Sequence, residues 1–563
     1  MEIAGRAPRI AQRPASRINS WRLGVIICAS LLSLPVVTVF AYVFVPAGEV
    51  WVHLVDTVLM DYLINTALLA TGVAVGVLAI GIPAAWIVTA YEFPGRRFFE
   101  WALLLPLAIP AYIMAYTYTG LLEFAGPVQG LLRQVAGWSA GDYRFPEIRS
   151  LWGAVAMLSL VLYPYVYMMA RASFGGQSLS ILEAGRVLGA GPVRVFFDVA
   201  LPLARPALVT GLSLALMETL ADYGTVQYFG ITTFTTGIFR TWFGLNDSAA
   251  AAQLAALLMS FVFFLILLEL YSRRRLRFFQ TTGRYRQLER YQTHGWYSVL
   301  LFVLCLIPLT FGFLVPAGQL GIWAFSTAEE SLDQRFLWLV GNSLLLASSA
   351  SLLTLVLALF LGYGRRLHPT RGINFAVRLS AMGYAIPGTV IAVGVMLPFA
   401  WLDNQLDHWM RAAFGWSTGL LLSGTLVILL FAYAVRFLAV SLQSVESGLA
   451  RVTPNMDDAA RSLGLAPGGV LLKIHLPIMR GALFSALLLV FVDVLKELPA
   501  TLILRPFNFN TLAVRAFELA SDERLADSSV AALAIVAVGI VPVVLLSRAV
   551  TRSGVQHVKP AST

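Results

Sequence analysis

Long apolar runs alternate with short polar segments along the whole chain. Twelve runs of mostly apolar residues are each long enough to cross a bilayer as an α-helix, which needs about 18 or more residues. They start near Leu23, Tyr62, Phe98, Ser150, Pro206, Ala249, Trp296, Leu337, Phe375, Gly419, Gly481 and Ser528. The first run extends to about Val45, too long for the apolar part of a cleaved signal, so we expect it to be retained. The pattern predicts an all-α polytopic membrane protein with about twelve transmembrane helices.

Composition supports this prediction and excludes other classes. Of the 563 residues, 58% are hydrophobic and 12% are charged. Soluble domains carry about 25% charged residues, so this chain has too few charges to cover a soluble surface of its size. An ordinary soluble enzyme and a disordered chain are therefore excluded. The two cysteines, Cys28 and Cys305, lie in apolar runs, and a disulfide framework is not expected.

The net charge of +10 is distributed unevenly between the two sides that twelve spans define. The side holding both termini and the loops after even-numbered spans contains 30 of the 40 lysines and arginines. The other side holds 18 of the 30 acidic residues. Basic residues concentrate on the cytoplasmic side of membrane proteins, so both termini are predicted to be cytoplasmic. The charge orients the chain and does not indicate nucleic-acid binding.

Two halves of the chain resemble each other at an offset of 275 residues. Residues 183–208 and 458–483 are identical at 11 of 26 positions without gaps. Each half has six predicted spans and starts on the same side, which predicts parallel repeats with a pathway at their interface, although duplication alone can also enlarge a helix bundle. The predicted divisions are a first repeat at 1–270, a basic cytoplasmic linker at 271–295 and a second repeat at 296–563.

The repeated segment lies in a predicted cytoplasmic loop of each half and contains signals for helix ends. An acidic residue, Glu183 or Asp458, is expected in the first turn of a short helix, where the helix dipole favours negative charge. A glycine, Gly189 or Gly464, follows and suits a left-handed terminating position.

A second short helix is predicted directly after each glycine. Pro192 or Pro467 suits its first position. The Leu-Pro pairs at 201–202 and 476–477 are expected to end it. We refer to the two segments, residues 183–202 and 458–477, as the first and second elbow.

The elbows resemble the EAA loop found in membrane subunits of binding-protein-dependent ABC importers. That motif reads Glu-Ala-Ala, three residues, Gly, nine residues, and Ile-x-Leu-Pro. The matching docking-loop residues are Glu183, Ala184, Gly185, Gly189, Leu201 and Pro202 in the first elbow, and Asp458, Ala459, Ala460, Gly464, Leu476 and Pro477 in the second. Gly185, Val199 and Asp458 depart mildly from the motif and leave its spacing intact.

The resemblance implies a permease fold like that of type I ABC importers, in the bacterial inner membrane. It implies that each elbow docks onto one of two ATPase subunits, which bind ATP and Mg²⁺, and that a solute-binding protein docks outside. This chain itself would be neither an enzyme nor a cofactor carrier. In agreement, none of its three lysines follows a glycine, as the lysine of a phosphate-binding P-loop would.

The outer ends of spans 5 and 11 bear on the solute. Residues 218–230 and 495–506, together with the fused double length, resemble the ferric-iron branch of these permeases. Carboxylate oxygens suit a hard cation such as ferric iron, and Glu218 and Glu497 are the candidate transient ligands. The candidate residues of the translocation path are Glu218, Asp222, Tyr223, Asp493, Lys496 and Glu497.

Other interpretations of these residues remain open. Lys496 beside Glu497 could form a structural ion pair, and Asp222 could be solvated outside the membrane. The solute could be thiamine, a polyamine or another small molecule carried by a transporter of the same class. A secondary transporter driven by an ion gradient is the alternative from a different class, but it would not explain two elbows. A membrane-embedded enzyme has little support, because the six histidines are scattered.

Overall fold

The computed structural model describes residues 20–46, 48–139, 141–176, 191–274 and 290–555. The helices of the first half are α1 Ser20–Ala41, α2 Glu49–Thr57, α3 Leu59–Ala90, α4 Arg96–Ala102, α5 Ala111–Leu122, α6 Pro127–Ala136, α7 Leu151–Gly176, α8 Pro192–Val195, α9 Leu201–Ala221, α10 Gly224–Tyr228, α11 Phe234–Phe239 and α12 Ser248–Arg274.

The second half has a similar order of helices, with the single helix α17 in the place of α5 and α6. Its elements are α13 Trp296–Leu309, α14 Val315–Ser331, α15 Gln334–Leu367, α16 Arg371–Ser380, α17 Gly388–Phe414, α18 Leu426–Leu449, α19 Pro454–Ser462, α20 Pro467–Val470, α21 Leu476–Leu495, α22 Pro499–Leu504, α23 Leu512–Ser521 and α24 Leu525–Val555. Short 3₁₀ segments lie at Tyr42–Phe44, Leu105–Ala108 and Ala381–Ala385, and π-helical turns at Phe196–Ala200, Arg240–Gly244, Thr310–Leu314 and Leu471–His475.

The predicted membrane fold is confirmed. Within the described residues, eleven helices are long and apolar enough to cross a membrane, and a twelfth span is obtained if one bent pair is counted. That pair is Arg96–Ala108 with Ala111–Ala136, which meet at 91°. The span predicted to start near Phe98 is therefore a broken one, made of two helices that meet at a bend.

Proline explains the bend. Ile109 is extended, with ψ of 115°, because the residue before a proline is sterically disfavoured in the helical region. The helix ends there, and α5 starts directly after Pro110. The second repeat has the same helix end before a proline. Ile386 is extended with ψ of 131°, and α17 starts directly after Pro387.

Three predicted boundaries were wrong. Span 9 was predicted to start near Phe375, which lies in α16, but the helix long enough to span begins at Gly388. Spans 5 and 11 were predicted to start near Pro206 and Gly481, but they begin at Val193 and Pro467 and run 29 residues each. Both take in the second short helix of their elbow. The Leu-Pro pairs thus lie inside continuous helices.

The two halves interlock. Helix α1 packs against α16 and α17 of the second half, while α13 contacts α3 and α4 and α14 contacts α5 of the first half. Of the predicted linker, residues 275–289 lie outside the described part of the chain. The strand that follows, β2 Tyr291–Gln292, pairs in parallel with β1 Tyr91–Glu92, so this end of the linker is fixed to the first half.

Candidate functional site

Each repeat contributes one break between two helices to the wall of the site. In the first half α9 ends at Ala221, and the short helix α10 starts at Gly224. Asp222 lies between them, and its Oδ1 accepts hydrogen bonds from the backbone N–H groups of Thr225, at 3.1 Å, and Val226, at 3.2 Å. Free N–H groups at a helix start favour a carboxylate, so this bonding fixes Asp222 at the break.

Glu497 does the same in the second half. Its carboxylate accepts from the backbone N–H groups of Ala500 and Thr501, at 2.9 and 3.0 Å, and from the Thr501 hydroxyl at 2.6 Å. Asp222 and Glu497 are separated by the repeat offset of 275 residues. The repeat therefore extends to the local chemistry of the break, and not only to the elbows.

A second pair of acids follows the same offset. Glu218 lies one helical turn before Asp222, and Asp493 lies one turn before Glu497, again 275 residues apart. In each half the two acids are therefore four residues apart, a spacing that places them on the same side of the helix end.

All six candidate path residues border one cavity between the repeats, of about 120 Å³. The first half supplies residues from α5, α7, α9 and α10, and the second half supplies Tyr384, the middle of α18 and the ends of α21 and α22. The charged residues that line the cavity are Glu218, Asp222, Arg436, Asp493, Lys496 and Glu497. Asp222 thus faces an internal cavity, and the alternative of a freely solvated outer residue is wrong.

Two ion pairs neutralise the acids of the second repeat. Lys496 Nζ lies 2.9 Å from Asp493 Oδ1, and Arg436 Nη1 lies 3.3 Å from Glu497 Oε1. The considered ion pair between Lys496 and Glu497 is therefore wrong, because Lys496 turns back by one helical turn to its i−3 neighbour. Glu218 makes no ion pair or hydrogen bond with any residue in the described part of the chain.

Tyr223 contributes packing to the cavity wall. Its ring stacks on Phe239 with 3.8 Å between centroids, and the residue is buried. A stacked phenol of this kind holds the break between α9 and α10 against α11.

Arg436 was not among the predicted site residues. It lies in the interior of α18, 10 residues after the start of that helix, and only 12% of its side chain is exposed. An ionisable residue at this depth in an apolar span is itself a signal of function, and comparison with Val161 at the repeat offset would have found it.

Gly388 makes room for this arginine. A Cβ at Gly388 would lie 2.0 Å from Arg436 Nη1 and 2.8 Å from Glu497 Oε1. The start of α17 therefore approaches the ion pair more closely than any side chain would permit.

The second elbow has the helix–turn–helix form that was predicted, with two corrections. Helix α19 ends just before Gly464, which is left-handed with φ of 84°, and α20 starts at Pro467 as expected. However, α19 starts at Pro454, which places Asp457 in the first turn and Asp458 beyond it. Ala459 and Ala460 lie in the same helix.

Leu476 and Pro477 do not end the second short helix. The N–H of Leu476 donates to the carbonyl of Leu471, five residues earlier, in a π-helical turn. This wider turn accommodates Pro477, which cannot donate, without breaking the rod. Leu201 and Pro202 follow the same turn in the first half, since the N–H of Leu201 bonds to Phe196. Glu183, Ala184, Gly185 and Gly189 of the first elbow lie outside the described residues.

A charge network attaches the second elbow to the bundle. Arg366, at the end of α15, donates to Asp457 and to the carbonyls of Leu449 and Val452, all within 3.0 Å. Asp457 also accepts from buried His475 at 2.6 Å. Burial alone would raise the pKa of Asp457, but the bonds from His475 and Arg366 outweigh it, and the pKa of this carboxyl lies below its usual value.

Comparison with known proteins identifies the class. Residues 78–278 match the family described as the inner membrane component of binding-protein-dependent transport systems. The Fe(3+)-transport system permease protein FbpB 2 of Haemophilus influenzae is 26% identical over 529 residues, which cover 92% of this chain and 96% of that protein. The chain therefore contains a region similar to this family and resembles a transport permease over nearly its whole length. It is a multi-pass permease of a binding-protein-dependent ABC importer, and not an enzyme.

Two further relatives match parts of the permease. FbpB 1 of the same organism is 23% identical over 421 residues, covering 71% of the permease and 63% of that protein. The molybdenum transport system permease protein ModB of Escherichia coli is 30% identical over 152 residues, covering 27% of the permease and 63% of ModB. The similarity to components of binding-protein-dependent transport systems implies ATPase and solute-binding partners.

The network at the second elbow gives a first prediction for the permease. Replacing Arg366 by glutamine leaves Asp457 and two carbonyls without their donor, so we expect α19 to lose its fixed position. Reconstituted with its partners, Arg366→Gln should retain ATP hydrolysis and lose most solute uptake. The matched control is Arg365→Gln, which removes the neighbouring pair with Glu446 and leaves the elbow contacts in place. Equal coupling in both variants would contradict the assigned role.

Proposed function

We propose that the permease imports ferric iron through the charged cavity. The observation that carries this proposal is the similarity to an Fe(3+)-transport permease over nearly the whole length of both proteins. Partial relatives have other solutes in their names, but they cover far less of this chain.

The chemistry of the cavity supports a cation. Four carboxylates, two from each repeat, border it, against two basic side chains. Ferric iron is a hard cation, and carboxylate oxygens are the ligands that hard cations prefer. Glu218 is the most available of the four, because it has neither an ion pair nor a hydrogen bond with a described residue, and we assign it as the first ligand. Glu497 is held by helix N–H groups and Arg436, so its oxygens become available only when that pair opens.

The elbows couple this path to ATP hydrolysis. We propose that residues 183–202 and 458–477 each dock onto one of two ATPase subunits, which bind ATP and Mg²⁺. The solute-binding protein would deliver iron from the opposite side, with both termini of the permease in the cytoplasm. The division into repeats at 1–270 and 296–563 then gives each ATPase subunit one repeat to move.

An uptake assay tests the proposal. The permease is purified with its ATPase and binding protein, reconstituted into proteoliposomes, and supplied with ⁵⁵Fe(III) as its citrate complex. We expect iron uptake that requires ATP on the side of the membrane where the ATPase subunits are bound. An ionophore should not affect this uptake. Elemental analysis of the binding protein should find iron. Uptake that follows an ion gradient and ignores ATP would contradict the mechanism, and a binding protein that retains thiamine or a polyamine without iron would contradict the solute.

One observation favours a second solute class. Arg436 and Lys496 also face the cavity, and basic side chains suit an oxyanion such as molybdate, the class suggested by the name of ModB. Competition with molybdate in the same assay separates the two. Molybdate uptake without iron uptake would select the oxyanion.

A further inference from the structure

The two walls of the cavity differ in their basic residues. Both repeats contribute an equivalent pair of acids, but Arg436 and Lys496 belong to the second repeat alone. The residues 275 positions before them are Val161 and Ala221, which also line the cavity. The first repeat therefore contributes acids without bases, and the second contributes one base for each acid.

The bases are placed directly on the acids of their own repeat. Arg436 contacts Glu497 at 3.3 Å and Lys496 contacts Asp493 at 2.9 Å. The pair of Arg436 and Glu497 is well buried, with 12% and 2% of the two side chains exposed. Removing one partner of such a pair destabilises the protein, because it leaves an uncompensated buried charge.

The unpaired negative charge is thereby confined to the first repeat. Glu218 and Asp222 form no ion pair with a described residue, and Asp222 is held by the N-terminus of α10. A cation in the cavity thus encounters two open carboxylates and two that already carry a counter-ion.

We propose that Arg436 and Lys496 are specificity-determining residues that act as built-in counter-cations and prevent the cargo from being trapped. Four open carboxylates would hold a trivalent cation too tightly for release, since affinity for hard cations rises with the number of charged ligands. A path conducts only when binding is strong enough for entry and weak enough for exit. The tethered bases occupy two carboxylates and return to them as the cation leaves. This inference rests on the proposed ferric-iron function.

The test exchanges each base for the residue that the first repeat uses at the equivalent position. Arg436→Val and Lys496→Ala are assembled with the partner subunits, and ⁵⁵Fe(III)-nitrilotriacetate retained by each purified complex is measured by equilibrium dialysis. We expect about tenfold more retained iron than in the unmodified complex, because a carboxylate has been freed. Iron uptake into proteoliposomes should slow by a similar factor, because release has become limiting.

Two further variants keep this test interpretable. Arg436→Val with Glu497→Gln removes both charges, so it should fold without a buried unpaired acid and return iron retention to the original level. Arg436→Lys retains the charge and should also behave like the unmodified complex. If iron retention is unchanged in both Arg436→Val and Lys496→Ala, in a complex that does transport iron, the role of the two bases is wrong. The proposed ferric-iron function would then still stand.

Failure of the proposed function has a different signature. If the cargo is an oxyanion, the unmodified complex takes up no iron, and Arg436→Val lowers molybdate uptake instead of raising metal retention. In that outcome both the ferric-iron proposal and the role as counter-cations are wrong.

Discussion

Substituting Gly464 by tryptophan is expected to abolish ATP-driven uptake while the permease still inserts in the membrane. Gly464 has φ of 84°, a conformation that costs an L-residue about 1–2 kcal/mol. Apart from Gly464 and its two chain neighbours, no atom of a described residue lies within 4 Å of the position that a Cβ would take, so the indole would project out of the permease. The adjacent Leu463 is 85% exposed, as expected for an apolar residue awaiting a partner. The measurement is uptake in proteoliposomes, with co-purification of the ATPase as a second readout.

The control for this substitution separates backbone strain from docking. Gly464→Asn tolerates the left-handed conformation and adds a small side chain. It should retain the ATPase and much of the uptake, whereas Gly464→Trp should lose both. The same pair of substitutions at Gly189 tests the first elbow, and the double tryptophan variant should be inactive. Full uptake by that double variant would contradict the docking role of both elbows.

The second large effect is expected at Glu218. Replacing it by glutamine preserves its size and removes the one cavity carboxylate that has neither an ion pair nor a hydrogen bond with a described residue. We expect iron uptake to fall by at least about tenfold, the order expected when one charged ligand is lost from a cation site. Glu218→Asp retains the charge and should retain a larger share of uptake. ATP hydrolysis by the complex and the amount of permease in the membrane should be similar in both variants.

An equivalent substitution in the other repeat gives the comparison. Asp493→Asn leaves Lys496 without its partner, so its effect combines a lost carboxylate with an unpaired base. Unimpaired iron uptake in Glu218→Gln, with impaired uptake in Asp493→Asn, would move the path to the wall of the second repeat.

The sequence was most informative where the physics is local. The left-handed Gly464 and the helix start at Pro467 follow from the backbone preferences of single residues, and the structure has both. Five of the six candidate path residues come from the segments 218–230 and 495–506, and both segments line one cavity between the two halves.

Features that depend on packing were missed. Hydropathy detects the length of an apolar run and not the direction of the helix axis, so it could not predict the 91° bend of the third span. Ile109 and Pro110 mark the position of the bend in the sequence. The continuation of the helix through Pro477 depends on a π-helical turn that no propensity predicts. Arg436 was missed because its partner, Glu497, lies 61 residues away, in the break between α21 and α22.

The helix that continues through Pro477 connects the second elbow directly to the cavity. The rod from Pro467 to Leu495 has 29 residues and is therefore about 44 Å long. Tilting a rigid rod of that length by about 10° moves its far end by about 8 Å. Asp493 lies in the last turn of this rod, and Lys496 and Glu497 follow directly after it. A tilt of this size about the elbow end would displace the other end by more than the ion-pair distances of 2.9 and 3.3 Å found there.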